Sequence, residues 1–297
     1  MLFYYMLSVA LPIILMLPLG IKWQIRRVYS VPWLLFMGAM SGGATWITGV
    51  VFPGSTRILR ALPGPVLAVF LTVLVLLVCF FRDPERTVPA GEEILVSPAD
   101  GEVIYVKNIE DGEFPFAVKK GVPVSLEEFI HEVSYMKRGI QIGIAMNFLN
   151  VHVNRSPLSG TVRKIRRIPG EFRSLKHLES LLDNERVCTL IEGKDITVCV
   201  VQIASRLVRR VTSYFQENDV CRIGDRIGMI RFGSQVDLLI PETEGLKVFV
   251  KPGESLKAGE SVVARYGVKP DSTLTGVSTG QQASLGPELG QIKPQIG

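Results

Sequence analysis

Arg226-Ile227-Gly228-Met229-Ile230-Arg231-Phe232-Gly233-Ser234-Gln235-Val236-Asp237-Leu238-Leu239-Ile240 reads as two apolar strands, 226–230 and 236–240, with a Gly-Ser pair between them. The flanking runs have the composition of strands buried in a β domain. A bulge accounts for the glycine. So does a reactive peptide bond, because a glycine before a serine lets the backbone bend until the hydroxyl meets the preceding carbonyl.

Outward from this stretch the same texture recurs. Strand candidates lie at 93–96, 102–106, 140–145, 161–168, 187–192, 196–204 and 261–266, bounded by Gly, Pro, Asn and Asp. Two helices are expected. One starts at the capping box Ser125-Leu126-Glu127-Glu128 and stops before Gly139. The other covers 174–184, with Leu175, Leu178, Leu181 and Leu182 on one face. A faint repeat runs through the domain. Ser97-Pro98-Ala99-Asp100-Gly101-Glu102-Val103 is echoed by Ser156-Pro157-Leu158-Ser159-Gly160-Thr161-Val162, and 219–230 by 250–264. Repeated hairpins of this kind build small closed β-structures. The expected fold is therefore mainly β (α+β), a barrel-sandwich-like domain with few helices over 82–268. The tail, 269–297, is rich in Gly, Ser, Thr, Gln and Pro and reads as disordered.

Residues 1–81 have a different character. They hold Lys22, Arg26, Arg27, Arg57 and Arg60 but no Asp or Glu, while the whole chain has 33 basic and 28 acidic residues and a formal charge of +5. The rest of the chain is therefore neutral. A nucleic-acid-binding protein carries its basic excess on a polar domain. Here the excess punctuates apolar sequence, as in membrane proteins, so no nucleic-acid partner is expected. Three charge-free stretches, 1–21, 28–56 and 61–81, approach or exceed the length of a membrane crossing. The first lacks the basic flank and small-residue cleavage site of a signal peptide. Gly38, Gly42, Gly43 and Gly49 dilute the second, which leaves dipping into the bilayer as an alternative to crossing it. Residues 1–81 thus read as an anchor of two or three transmembrane helices. With three crossings, Lys22, Arg26, Arg27, Arg82 and Arg86 share one side, which the positive-inside rule makes cytoplasmic. The domain is then expected on the cytoplasmic face of the inner membrane.

Few residues are equipped for chemistry. Cys79, Cys188, Cys199 and Cys221 show no zinc-type spacing, and no metal site is expected. His131 and His177 fall on the expected helices among charged neighbours and read as solvated imidazoles. His152 lies in Asn150-Val151-His152-Val153-Asn154-Arg155-Ser156-Pro157, where alternation puts it on one face with Asn154 and puts Arg155 on the other. From spacing alone, a satisfied structural histidine is an equal alternative. Asp100, in Pro98-Ala99-Asp100-Gly101, reads first as a turn residue. Asp100, His152 and Ser234 are of the types that serve as orienter, base and nucleophile, but spacing does not make them a triad.

Several segments, in order, resemble the phosphatidylserine decarboxylase family. They are Phe80-Phe81-Arg82-Asp83-Pro84-Glu85-Arg86, Ser97-Pro98-Ala99-Asp100-Gly101, 150–160 with His152, Asn184-Glu185-Arg186, Gln202-Ile203-Ala204 with Arg209-Arg210, and Phe232-Gly233-Ser234. Phe-Gly-Ser-Gln, in place of the Leu-Gly-Ser-Thr of long-form members, is similar to the short-form cleavage site. The first hydrophobic stretch, the helix from Ser125 and the tail have no counterpart in the resemblance.

The resemblance implies a proenzyme that makes its own cofactor. Ser234 attacks the Gly233 carbonyl, and the resulting ester eliminates and hydrolyses to leave a pyruvoyl group at position 234. His152 is implied as the base, Asp100 as the residue holding its tautomer, and the Gly233–Ser234 bond as the cleavage site. The fragments 1–233 and 234–297 are implied to stay together as a heterodimer, with a higher oligomer compatible. The implied reaction takes phosphatidylserine to phosphatidylethanolamine and CO2 through a pyruvoyl imine, with His152 as general acid. Arg155 is expected as a phosphate contact by its charge and its nearness to His152. A phospholipid in the bilayer is the expected partner. Two other readings remain at this level: decarboxylation of another, archaetidylserine-like serine phospholipid, and a non-catalytic membrane-tethered carrier or adaptor. A serine protease is disfavoured, because no Gly-x-Ser-x-Gly elbow is present.

Overall fold

The β-branched runs pair as antiparallel ladders. A computed structural model of the chain describes residues 6–11, 13–14, 17–18, 27–110, 113–119, 122–125, 136–170, 184–204, 211–230 and 234–267. Its first strands are β1 (Ile94–Val96), β2 (Gly101–Ile109), β3 (Glu113–Lys119), β4 (Val122–Ser125), β5 (Gly139–Met146) and β6 (Val153–Arg155). Then follow β7 (Gly160–Ile168), β8 (Arg186–Glu192), β9 (Thr197–Ala204), β10 (Val211–Ser213) and β11 (Val220–Cys221). The last are β12 (Arg226–Ile230), β13 (Ser234–Pro241), β14 (Lys247–Val248), β15 (Ser255–Leu256) and β16 (Val262–Arg265). The eight-stranded sheet has the order β11-β7-β8-β9-β13-β5-β2-β15, and two three-stranded sheets have the orders β1-β16-β14 and β10-β12-β6. The domain is mainly β, as expected. The expected helix 174–184 falls largely outside the described residues, as do the helix 125–138 beyond Ser125 and the tail. Ser125 itself ends β4.

The faint sequence repeat is an internal two-fold. Val96 N–H donates to Pro157 O and Arg155 N–H donates to Pro98 O, both at 2.9 Å. Gly259 N–H reaches Ser97 O and Gly224 N–H reaches Ser156 O, again both at 2.9 Å. Ser97 Oγ donates to Ala99 O, and Ser156 Oγ to Leu158 O. The ladders slip at matching places, between Val103 and Tyr105 in β2 and between Val162 and Lys164 in β7. These bulges sharpen the twist and curl the long sheet. Gly101 and Gly160 are matched too. A Cβ would stand 2.3 Å from Ala145 O at the first and 2.2 Å from Glu192 O at the second, so neither position admits a side chain. The core lies inside the curl, where both halves contribute, among others Val103, Ile144 and Leu238 from one and Val162, Ile191 and Val200 from the other. Each such side chain contributes about 1.5–3 kcal/mol on burial.

The N-terminal region holds α1 (Arg27–Val51), α2 (Arg57–Ala61) and α3 (Pro63–Phe81), after helical turns at 6–11, 13–14 and 17–18. Ser30–Val51 and Ile58–Phe81 are each long and apolar enough to cross a membrane. The glycines of the second hydrophobic stretch do not break its helix. At Gly38 a Cβ would stand 3.2 Å from Ile13 Cδ1, so this glycine serves close packing. Gly64 does the same for α3, where a Cβ would stand 2.2 Å from Ser41 O and 2.7 Å from Thr45 Oγ1. Small residues at helix contacts are how membrane helices approach closely.

Candidate active site

Position 234 opens β13, the strand between β9 and β5 near the middle of the long sheet. Ser234 is in register with Met146 on one side and Ala204 on the other. Residues 231–233, which hold Gly233, lie outside the described residues, but both ends of that segment are placed. Ile230 N–H donates to His152 O at 3.2 Å, and Ser234 is fixed by its two ladders. Ile230 and Ser234 are four positions apart, so the two placed ends are separated by at most about 14 Å.

His152 is fully buried. Its Nδ1 lies 2.8 Å from Asn150 O, an arrangement that requires Nδ1 to carry the proton in the neutral ring. Nε2 is then a bare lone pair, and it has no hydrogen-bond partner among the described residues. Loss of water around the ring pushes its pKa down to about 4, and the Arg82 charge adds to this, against the opposing pull of the Asn150 carbonyl. At neutral pH the ring is uncharged and able to accept a proton at Nε2.

Asn154, in β6 like Arg155, is also fully buried. Its Oδ1 accepts from Gln202 Nε2 at 2.8 Å, and its Nδ2 lies 3.8 Å from the Met146 sulfur. Met146 and Ala204 are the two partners of position 234, and Gln202 lies two residues before Ala204 on the same strand face. Gln202 Oε1 is buried and has no hydrogen-bond partner among the described residues. The Asn154–Gln202 amide pair therefore borders the start of β13, and the backbone oxygen of His152 holds Ile230, four positions before it.

Asp100 does not touch the imidazole, and the expected orienting bond is made by the Asn150 carbonyl instead. The Asp100 carboxylate takes Arg86 Nη2 at 3.0 and 2.9 Å, Ala258 N–H at 2.8 Å and Val151 N–H at 3.4 Å. The internal two-fold explains the geometry, because Ser159, the counterpart of Asp100, accepts Ile223 N–H at 2.9 Å where Asp100 accepts Ala258 N–H. Asp100 thus caps the loop equivalent to the one its counterpart caps, and its second oxygen holds the residue next to His152. Arg155 is corrected as well. Its guanidinium is buried, donating to Asp83 Oδ1 at 3.0 Å, Pro84 O at 2.9 Å and Gly224 O at 2.9 Å. These bonds direct it to the chain leaving α3. His131 and His177 lie outside the described residues.

The family model for phosphatidylserine decarboxylase matches residues 73–264, which include all of these groups. The chain belongs to that family. It is 39% identical over 190 residues to the phosphatidylserine decarboxylase proenzyme of Syntrophus aciditrophicus, covering 63% of this chain and 78% of the relative. The corresponding protein of Azorhizobium caulinodans is 37% identical over 192 residues, 64% of this chain and 74% of the relative. That of Oleidesulfovibrio alaskensis is 38% identical over 207 residues, 68% of this chain and 84% of the relative.

Three members of the site carry no assigned role in the sequence reading. Gln202 lies in a quoted segment of the resemblance and is a polar residue in a mostly apolar strand, but neither signal gives it a role. Arg86 lies in the quoted junction segment, but nothing local couples it to Asp100. Phe80 closes a hydrophobic run and reads as one more membrane residue, yet its ring lies 4.1 Å from that of His152.

On the opposite face of β13 is a second buried polar cluster. Asp237 Oδ2 accepts Gln141 Nε2 at 2.6 Å and Tyr105 Oη at 2.9 Å, and Oδ1 accepts Gln235 Nε2 at 2.7 Å. No cation among the described residues pairs with it. Burial lifts the Asp237 carboxyl from 3.8 to about 6, against the pull of these three donors.

Proposed function

We propose that this protein cuts itself between Gly233 and Ser234 and then converts phosphatidylserine to phosphatidylethanolamine and CO2 at the bilayer surface. The observation that carries the reading is His152, whose uncharged Nε2 has no hydrogen-bond partner among the described residues, whose ring lies beside the last turn of an apolar helix, and whose backbone oxygen holds Ile230, four positions before Ser234. For self-cleavage, Ser234 Oγ attacks the Gly233 carbonyl carbon while His152 Nε2 takes the hydroxyl proton. Asn150 O keeps the ring in the tautomer this needs, and Asp100 holds the ring's chain segment through Val151.

His152 Nε2 and Gln202 Oε1, which have no hydrogen-bond partner among the described residues, are acceptors and fit a site that receives donors there, the Ser234 hydroxyl before the cut and the substrate amine that meets the pyruvoyl carbonyl after it. A pyruvoyl group there supplies an electron sink for the bond that breaks as CO2 leaves. Asn154 and Gln202 border the reacting carbon, the apolar wall around His152 excludes water, and Nε2 carries the proton that returns to that carbon. A proton on a base with a pKa near 4 is readily given up. Residues 1–81 hold the enzyme to the bilayer, with the domain on the cytoplasmic face as the Lys/Arg distribution directs. Fragments 1–233 and 234–297 form the working unit.

Intact-mass measurement on the purified protein tests this. The expected result is two chains, the smaller beginning at position 234 with a pyruvoyl in place of the serine amine. Ser234→Ala should remain one chain and release no CO2 from phosphatidylserine. A full-length, uncut chain in an active preparation overturns the reading.

A further inference from the structure

The helix that carries the chain out of the apolar region does not stop at the domain surface. Phe80, in its last turn, is fully buried, with its ring centroid 4.1 Å from that of His152 and the planes 35° apart. The same ring lies 5.3 Å from Phe148, and Phe80, Phe148, Val151, Val153 and Met229 form one apolar cluster, with Leu76 and Leu149 packed against it. The next residue but one fastens the arrangement, since Arg82 Nη2 donates to Leu149 O. Beyond it, Asp83 and Pro84 take the Arg155 guanidinium and Arg86 takes Asp100. Phe80, Arg82, Asp83 and Pro84 are thereby joined to the segment 148–155.

We propose that the last turn of α3 is a wall of the catalytic site, with Phe80 as a positioning residue that covers the His152 ring and fixes its plane. The inference rests on His152 being the base. Asn150 O constrains only Nδ1, and a ring held by one hydrogen bond still rocks about it. A facing aromatic ring removes that freedom and excludes water from the same face. An exposed imidazole would draw water to Nε2 and be partly protonated near neutral pH, which would cost it its role as a base. The helix that anchors the domain therefore also sets the protonation state of the base.

Among the described residues, the charges around the ring are few. Arg82 comes from the end of α3, and its charge disfavours the imidazolium. Asp100 approaches through Val151 N–H but is paired with Arg86. From β12 the ring meets Met229 in the shared cluster and Ile230 through its backbone, and neither is charged. The segment 147–150 contributes no titratable side chain. Water exclusion is thus the main influence left to perturb.

The test is a histidine-resolved NMR titration of the full chain in lipid nanodiscs, in a Ser234→Ala background that stays uncut. With Phe80 present, His152 should remain neutral down to about pH 5. Phe80→Ala should raise its midpoint by about one to two pH units, and Phe80→Tyr should restore it. Phe80→Leu keeps apolar cover without the flat face and should raise the midpoint by about half a unit, which decides the matter if the alanine variant does not fold. In chains retaining Ser234, the acid limb of the self-cleavage pH profile should move upward in parallel. An unchanged His152 midpoint in the folded Ala or Leu variant overturns the proposal. The role of His152 itself is read separately: normal self-cleavage by His152→Gln would remove the base assignment whatever Phe80 does.

Discussion

Asp237→Asn should change how stability depends on pH by an amount the structure sets. Asp237 is fully buried, and its carboxyl is raised from 3.8 to about 6. Below pH 3.8 the carboxyl is protonated folded or unfolded, and the group makes no demand. As pH rises through 6, the unfolded chain has ionised freely while the folded chain ionises against burial, so stability falls across this window. Two pH units correspond to about 3 kcal/mol. Asn has no charge to bury, so its profile lacks that fall. The two proteins should differ by a constant offset at acid pH, from the altered hydrogen bonds to Gln141, Gln235 and Tyr105. From pH 4 to 7.5 the difference should move in favour of the Asn variant by about 3 kcal/mol. His152 has the opposite slope, its contribution complete above 6.5 and lost as pH falls towards about 4, but it is common to both chains and cancels. Urea unfolding of both proteins in a Ser234→Ala background, where one chain unfolds, gives the difference at each pH. Parallel profiles, with the difference constant to about 0.5 kcal/mol, would refute the reasoning that Asp237 is a destabilised buried acid.

Two further outcomes follow from the packing. Arg155→Met removes the buried side of a part-buried ion pair and two carbonyl contacts, while Asp83 keeps Arg226, and should lower unfolding stability by about 1–3 kcal/mol with no rise in KM for the lipid; a raised KM at unchanged stability would support Arg155 as a phosphate contact. Gly64→Ala places a Cβ 2.2 Å from the backbone oxygen of Ser41, whereas Gly43→Ala meets nothing within 4 Å. The first should lower thermal stability in detergent by about 1–3 kcal/mol and the second should leave it unchanged. Equal effects would show that α1 and α3 do not pack through Gly64.

The fold was legible because its signals are local. The runs 226–230 and 187–192 are rich in β-branched or apolar residues and end in turn residues, and the structure extends them by a residue or less at each end. The short strands β6, β10, β11, β14 and β15 were not legible, because two or three residues carry no period. The site divides in the same way. His152 stood out through its segment, and Ser234 through the glycine before it. Asp100 was legible as a residue but not in its contacts, since its partners Arg86 and Ala258 lie 14 and 158 positions away. Arg155 misled for the same reason: a guanidinium beside a histidine looks free until Asp83, 72 positions earlier, is seen to hold it.

The place of β13 has a consequence for the life history of the molecule. All eight of its residues pair with β5 and six of them also pair with β9, so the strand that begins at Ser234 is flanked by two strands from the other side of the proposed cut. While the chain is intact, sequence connectivity helps that strand find its slot. Once the chain is cut, finding it again is an encounter between two molecules, one of which must already be folded around a gap of the right register. A denatured mature enzyme therefore has no simple way back, and its persistence is set by how slowly it opens, not by a reversible balance. With the proposed cut, maturation would be one-way in two senses: the peptide bond would be gone, and so would the route by which the fold was reached.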